Sequence, residues 1–222
     1  MKVNDMLAGH DPFEADKMAA WLAQRAGKLT ASRMSDAMAI LRDGRPAKAR
    51  SDLIRDLLAE RLTGLSVRHY VSDAMQWGLD HETEAKEVYQ FTTGNVINPC
   101  GFYDHPMIDN FGATPDGHIS DEGNAEVKCP TTNKYVEWLL AGVVPEEHKP
   151  QMLAQMACTG RKWCEFIAFD PRIKEEKRRL FVRRFTPTRD EIANIETFAK
   201  VFLEDVERAW EQLTTQLIAA PE

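Results

Sequence analysis

Apolar side chains recur at three- and four-residue spacing through residues 14–26, EADKMAAWLAQRA, where Met18, Trp21, Leu22 and Arg25 share one face. That spacing predicts a helix. GKLTASRMSDAMAIL follows, and Thr30 or Ser32 is placed to cap a second helix. Gly and Pro mark DGRPAKAR, residues 43–50, as a loop, and a basic one. An amphipathic helix is predicted over 51–62, stopped by Thr63-Gly64, and another over 73–92, stopped by Gly94. Residues 95–103, 112–119 and 124–129 read as strands. Two helices are predicted over 131–141 and 146–159. KWCEFIAFD and RRLFVRRF then alternate as strands around the turn PRIKEE, and a long amphipathic helix occupies 188–217. Helices, a run of strands, a helical pair and more strands predict one α/β domain over residues 1–222, a central mixed β-sheet flanked by α-helices.

The chain of 222 residues is long enough for such a core, since a domain of this size buries roughly 70% of its extended surface. No apolar run approaches the ~18 residues of a membrane span. The first residues, MKVNDMLAGHDPFEADK, have no apolar signal core, which predicts a cytoplasmic protein. Cys100, Cys129, Cys158 and Cys164 contain no C-x-x-C pair, so they read as free thiols in a reduced compartment. A net charge of -7 argues against a broad basic face for nucleic acid. A local basic groove stays open, and Arg42, Arg45, Lys48 and Arg50 are its candidates.

GATPDGHISDEGNAEVKCPTT, residues 112–132, changes the picture. Residues two apart on a strand point to one face, about 6.6 Å apart. Glu126 and Lys128 therefore project together and Val127 points into the core. If the neighbouring strands pair through ISDEGN, Asp116 of the Pro-Asp-Gly segment lies beside Glu126. Two carboxylates and the Val127 carbonyl form a hard oxygen set suited to Mg²⁺ or Mn²⁺. A lysine there orients or deprotonates an attacking water and stabilises charge on a phosphate. An incidental Glu–Lys pair on a surface hairpin has the same spacing.

This pattern resembles the PD-(D/E)xK nuclease superfamily. The segments RAGKLTASRM, WGLDHETEAKEVYQFTTG, GATPDG, AEVKCPTT and PQMLAQMACTGRKWCEFIAFDPR occur in the order seen in the phage λ exonuclease and YqaJ-type family. The resemblance spans about residues 21–185 and implies a restriction-endonuclease-like core. It implies Asp116, Glu126 and the Val127 carbonyl as metal ligands, Lys128 as the catalytic lysine and Glu82 as a helix glutamate near the metal. Gln151 matches a glutamine that orients the active-site helix or contacts substrate. Arg25, Thr30 and Ser32 match a segment that binds a 5′-terminal phosphate, although from this segment alone helix capping by Thr or Ser is the better account of the hydroxyls. Met75 falls where relatives place an apolar wedge at the duplex end, or is a core residue. His81 and His148 stand where relatives carry aromatic residues, and neither is expected to ligate metal.

The implied activity is Mg²⁺-dependent 5′→3′ exonuclease action on double-stranded DNA ends, leaving a 3′ overhang. Mn²⁺ is expected to substitute. The resemblance further implies a homotrimeric ring, a single-strand annealing partner and a phage or prophage origin in a bacterial cell, with no membrane association. The alternatives are a related endonuclease, or a DNA-end-binding module without chemistry. An iron–sulfur relative is disfavoured because the last cysteine is Cys164.

Overall fold

The computed structural model describes residues 12–66 and 73–218. Helix α1 (Pro12–Arg25) runs into Gly27, where a φ of +72° suits glycine alone. The chain then forms strand β1 (Leu29–Thr30), one 3₁₀ turn (Ala31–Arg33) and the short helix α2 (Met34–Ala37). The expected second helix is thus a single turn, and Thr30 makes no side-chain cap hydrogen bond. Its backbone is engaged elsewhere, because Leu29 and Thr30 pair in parallel with Phe111 and Gly112. Helix α3 (Lys48–Thr63) begins inside the segment expected as a basic loop and ends at Gly64, with φ +67°. Helix α4 (Asp73–Thr93) matches its prediction closely.

The strands are shorter than their apolar patterns and fall into two sheets. Residues 95–103 divide into β2 (Ile97–Asn98) and β3 (Tyr103–Asp104), and residues 112–119 into β4 (Phe111–Ala113) and β5 (Gly117–Ile119). A three-stranded sheet has the order β1-β4-β3. The central sheet has the order β2-β5-β6-β7-β8, with β6 (Gly123–Lys128), β7 (Trp163–Phe169) and β8 (Leu180–Phe185). Strands β6 and β7 are parallel, from Gly123↔Trp163 to Lys128↔Ala168, and the other central pairs are antiparallel. The expected mixed sheet is present, and a second sheet joins it. Thr114, Pro115 and Asp116 carry the chain from one to the other.

Period-two alternation decides the two faces of β6. Ala125, Val127 and Cys129 pack with Ala85 and Tyr89 of α4. The opposite face carries Asn124, Glu126 and Lys128. Helices α5 (Thr132–Ala141) and α6 (Lys149–Thr159) follow this strand. Met152 and Met156 of α6 pack with Phe166, while Ala154, Ala157 and Cys158 pack with Leu29, Leu53 and Phe202. Helix α6 is therefore buried nearly all round, which explains why most of its residues are small or apolar. Phe202 lies on the final helix, α7 (Arg189–Ile218). No helix among the described residues is long and apolar enough to cross a membrane.

Gly112 is where the small sheet is tightest. A Cβ there would lie 2.2 Å from Phe102 Cζ and 2.8 Å from the Tyr103 carbonyl oxygen. Gly112→Ala is expected to cost about 1–3 kcal/mol of stability, as overpacking does. The check is a fall in the urea midpoint at unchanged m-value.

Candidate active site

The sheet-to-sheet crossing brings Asp116 to the edge of β6. Its amide donates to the Ala125 carbonyl at 3.1 Å. Its Oδ2 accepts from the Val127 amide at 2.6 Å. Asp116 is thus fixed beside Glu126 by backbone bonds on either side of it. Glu126 is fully buried, and Lys128 Nζ stands 2.5 Å from its Oε1. The contact is a close ion pair, and no other hydrogen-bond partner reaches Oε1. The expected convergence of Asp116, Glu126 and Lys128 is present in the structure, and Val127 turns its side chain into the core.

The electrostatics are those of anions held too close together in a dry place. Burial first, and the charge of Glu126 second, push Asp116 up to about 7. Burial opposes the charge on Lys128, yet Glu126, Asp116 and Glu82 outweigh it and hold the amine above its ordinary value. A buried carboxylate oxygen met only by the Lys128 ammonium, next to a second carboxylate that resists ionisation, suits a hard cation that takes few carboxylates and keeps several waters. Among the described residues no group of three His, Cys, Asp or Glu side chains converges. Glu82 stays half-buried on α4, bound to Lys86 Nζ at 2.6 Å, and reaches the site through its charge.

The structure also sorts the remaining helix residues. Gln151 lies half-buried on α6. One turn on, the fully buried Gln155 donates from Nε2 to Glu126 Oε2 at 2.5 Å. Sequence reasoning missed Gln155, although its i+4 spacing from Gln151 puts both on one helix face. His81 stacks on Trp77 at 3.7 Å between ring centroids, with Nδ1 3.0 Å from the Trp77 carbonyl oxygen. His148 stacks on Phe166 at 5.1 Å. Burial and the Lys128 charge lower it to about 4, so it is neutral at neutral pH. The backbone of Met75 belongs to α4, but its side chain lies outside the described residues.

Arg25, Thr30 and Ser32 do come together. Arg25 Nη2 lies 3.5 Å from Ser32 Oγ, and the Thr30 and Ser32 hydroxyls are 3.3 Å apart. Burial and Arg33 lower Arg25 to about 10, which leaves it charged. Two unanticipated residues hold this cluster. Trp21 carries the Arg25 guanidinium 4.1 Å from its ring centroid and donates from Nε1 to Thr114 Oγ1 at 3.2 Å. Glu60, fully buried, takes both Arg33 nitrogens, at 3.1 and 2.6 Å, and the Gly27 amide at 2.8 Å. Thr114 lies two residues before Asp116, so one backbone segment ties the cationic cluster to the carboxylates.

The basic segment divides. Arg50 is a correction: its guanidinium bonds the Ala37 carbonyl and Asp205 and covers Phe202, so it serves packing. Arg45 is exposed and bound to Asp43 at 2.8 Å, and exposed Lys48 is bound to Asp52 at 2.7 Å. Surface pairs of this kind are weak and exchange readily for phosphate. Arg42 is exposed at the tip of the same turn.

Residues 20–162 match the family model for a YqaJ-like viral recombinase domain. The chain belongs to this family. The YqaJ-like chain is 37% identical to an alkaline exonuclease from Laribacter hongkongensis, with 91% of this chain and 99% of that chain covered and a TM-score of 0.83. The same figures hold for that enzyme in complex with dAMP. A phage-related exonuclease from Haemophilus somnus shares the fold, with a TM-score of 0.64, 13% identity and coverage of 86% of this chain and 96% of that one. No curated protein sequence matches.

The raised pKa of Asp116 fixes a sign. The folded YqaJ-like domain keeps a proton that the unfolded chain releases near its ordinary 3.8, so stability falls as pH rises from about 4 to about 7. In metal-free protein, Asp116→Asn removes that loss. Its melting temperature is expected to exceed the parent's above pH 7, with the gain vanishing toward pH 4, in thermal scans across that range.

Proposed function

We propose that this chain is a Mg²⁺-dependent exonuclease that degrades one strand of duplex DNA 5′→3′ from an end and leaves a 3′ overhang for single-strand annealing recombination. The observation that carries this reading is the tie between two sites. Asp116, bound to the strand that carries Glu126 and Lys128, stands four residues along the chain from Gly112, which pairs with Thr30 of the cationic cluster. The names of the relatives, an alkaline exonuclease and a phage-related exonuclease, support the reaction class. The dAMP complex of the first supports a nucleotide ligand.

In this reading Asp116 and Glu126, with the Val127 carbonyl, hold the cation, and Glu82 adds negative charge from α4. Bound Mg²⁺ supplies a water of lowered pKa and takes up charge developing on the phosphate. Lys128 has two states. While the carboxylates are uncompensated, its amine stays protonated. Once their charge is neutralised, burial acts unopposed and the amine becomes available to the attacking water. Gln151 contacts the substrate strand. Arg25, Thr30 and Ser32 grip the 5′-phosphate by charge-assisted hydrogen bonds, and the Trp21–Thr114 bond fixes the span from that grip to the scissile bond. Arg42 and Arg45 contact the duplex backbone, and Met75 meets the terminal base pair.

Mn²⁺ substitutes for Mg²⁺ in this account. The protein acts as a homotrimer in the bacterial cytoplasm, as a phage or prophage product, with a single-strand annealing protein as partner. A ring accounts for processivity by enclosure, which suits a chain with a net charge of -7.

Linear duplex labelled at the 5′ or the 3′ end, incubated with Mg²⁺ or EDTA beside a covalently closed circle, tests the reaction. Early release of the 5′ label, an intact circle and silence in EDTA are expected. Cutting of the circle identifies an endonuclease instead. Lys128→Ala is expected to lower kcat by about 10²–10⁴-fold, the range for a group that assists proton transfer, while end binding in a gel-shift assay persists. Arg25→Gln is expected to reduce the preference for a phosphorylated over a hydroxyl 5′ end by about 10–100-fold in kcat/KM, as loss of a charged hydrogen bond does.

A further inference from the structure

Behind Glu126 runs a buried chain of hydrogen bonds with no part in the scheme above. Tyr103 Oη lies 2.8 Å from His118 Nε2, and His118 Nδ1 lies 3.0 Å from Asn124 Oδ1. Asn124 Nδ2 donates to Thr159 Oγ1 at 3.0 Å, and Thr159 donates to the main-chain carbonyl of Gln155 at 2.8 Å. Gln155 Nε2 donates to Glu126 Oε2 at 2.5 Å. Asn124, Gln155 and Glu126 are each fully buried, and His118 is 8% exposed.

The direction of every link is forced. A carboxylate only accepts, so the Gln155 amide must face it with nitrogen. Cys164 Sγ, 3.8 Å from Gln155 Oε1, donates to the other end of that amide. Thr159 gives its one hydroxyl hydrogen to the main-chain carbonyl of Gln155, so it accepts from Asn124. Asn124 then presents its oxygen to His118, which carries the hydrogen on Nδ1 and accepts at Nε2 from Tyr103. The chain joins β3, β5, β6 and α6, and a flip at any amide breaks two bonds. The result at Glu126 is asymmetric: Oε2 accepts from Gln155, and Oε1 faces Lys128.

We propose that Gln155 is a positioning residue that holds Glu126 with one oxygen turned toward the cation, and that Cys164 holds the other end of the Gln155 amide. This rests on the metal-dependent reading given above. Groups that orient a ligand from behind typically change metal affinity 10–100-fold when lost. Gln155→Met keeps the shape and removes the donor. Cys164→Ala removes the group at the far end of the amide, and Cys164→Ser keeps a donor there.

The test is Mn²⁺ titration of the full-length, DNA-free protein, followed by electron paramagnetic resonance of free Mn²⁺, with single-strand release from duplex ends measured in parallel. Gln155→Met is expected to weaken Mn²⁺ binding by about 10-fold or more and to lower kcat with KM for ends unchanged. Cys164→Ala is expected to weaken binding by about two- to threefold, as loss of one link in a buried network does, and Cys164→Ser to restore the parent value. Should Gln155→Met fail to fold, the Cys164 pair decides. Parent-like Mn²⁺ affinity in Cys164→Ala and in any folded Gln155→Met overturns the positioning role while the nuclease reading stands. A parent that neither binds Mn²⁺ nor degrades duplex overturns both.

Discussion

One fully buried carboxylate sets the terms for the rest of this molecule. Glu126 sits on the central strand with no exposure to solvent. An isolated charge in such a place is prohibitively unfavourable, so the surroundings are built to compensate it. Lys128 supplies the opposite charge from the same strand face, and Gln155 supplies a hydrogen bond from α6. Removing one partner of a buried ion pair typically costs about 3–5 kcal/mol, whereas apolar replacement of the whole pair often costs nothing. Stability alone therefore gives no reason for these charges. Their retention makes sense when a cation is held against them.

The same constraint explains the position of Asp116. A second carboxylate brought against a buried one loses solvation and gains repulsion, and its pKa rises accordingly. It is tolerated because the Val127 amide donates to it and because the chain at Thr114–Asp116 passes between two sheets. That crossing also lets one segment join two clusters. Strand β4 pairs with β1 and so carries Thr30, while three residues beyond β4 stands Asp116. Cationic cluster and carboxylate pair are coupled through backbone, which holds spacing better than a contact between mobile side chains.

How much of this was legible in sequence depends on the range of the interaction. Helices α4 and α7 and strands β6 to β8 were readable because local periodicity decides them. The i, i+2 relation of Glu126 and Lys128 was readable for the same reason. The one-turn helix α2 was not, because Thr30 has two uses for its backbone and pairing with Gly112 wins. Arg50 looked like a DNA contact in a basic run, yet it lies against Asp205, 155 residues further along the chain.

The sequence by itself determined the α/β class, the faces of β6 and the identity of the chemical groups, since these follow from side-chain chemistry and short periodicities. Tertiary structure decided which oxygen of Glu126 meets Lys128 and which meets α6, that Gln155 rather than Gln151 touches it, and that Trp21 joins the two sites. Those facts depend on contacts 29 and 93 residues apart in the chain. No repeating pattern encodes such distances, because they arise only when separately folded elements are packed together.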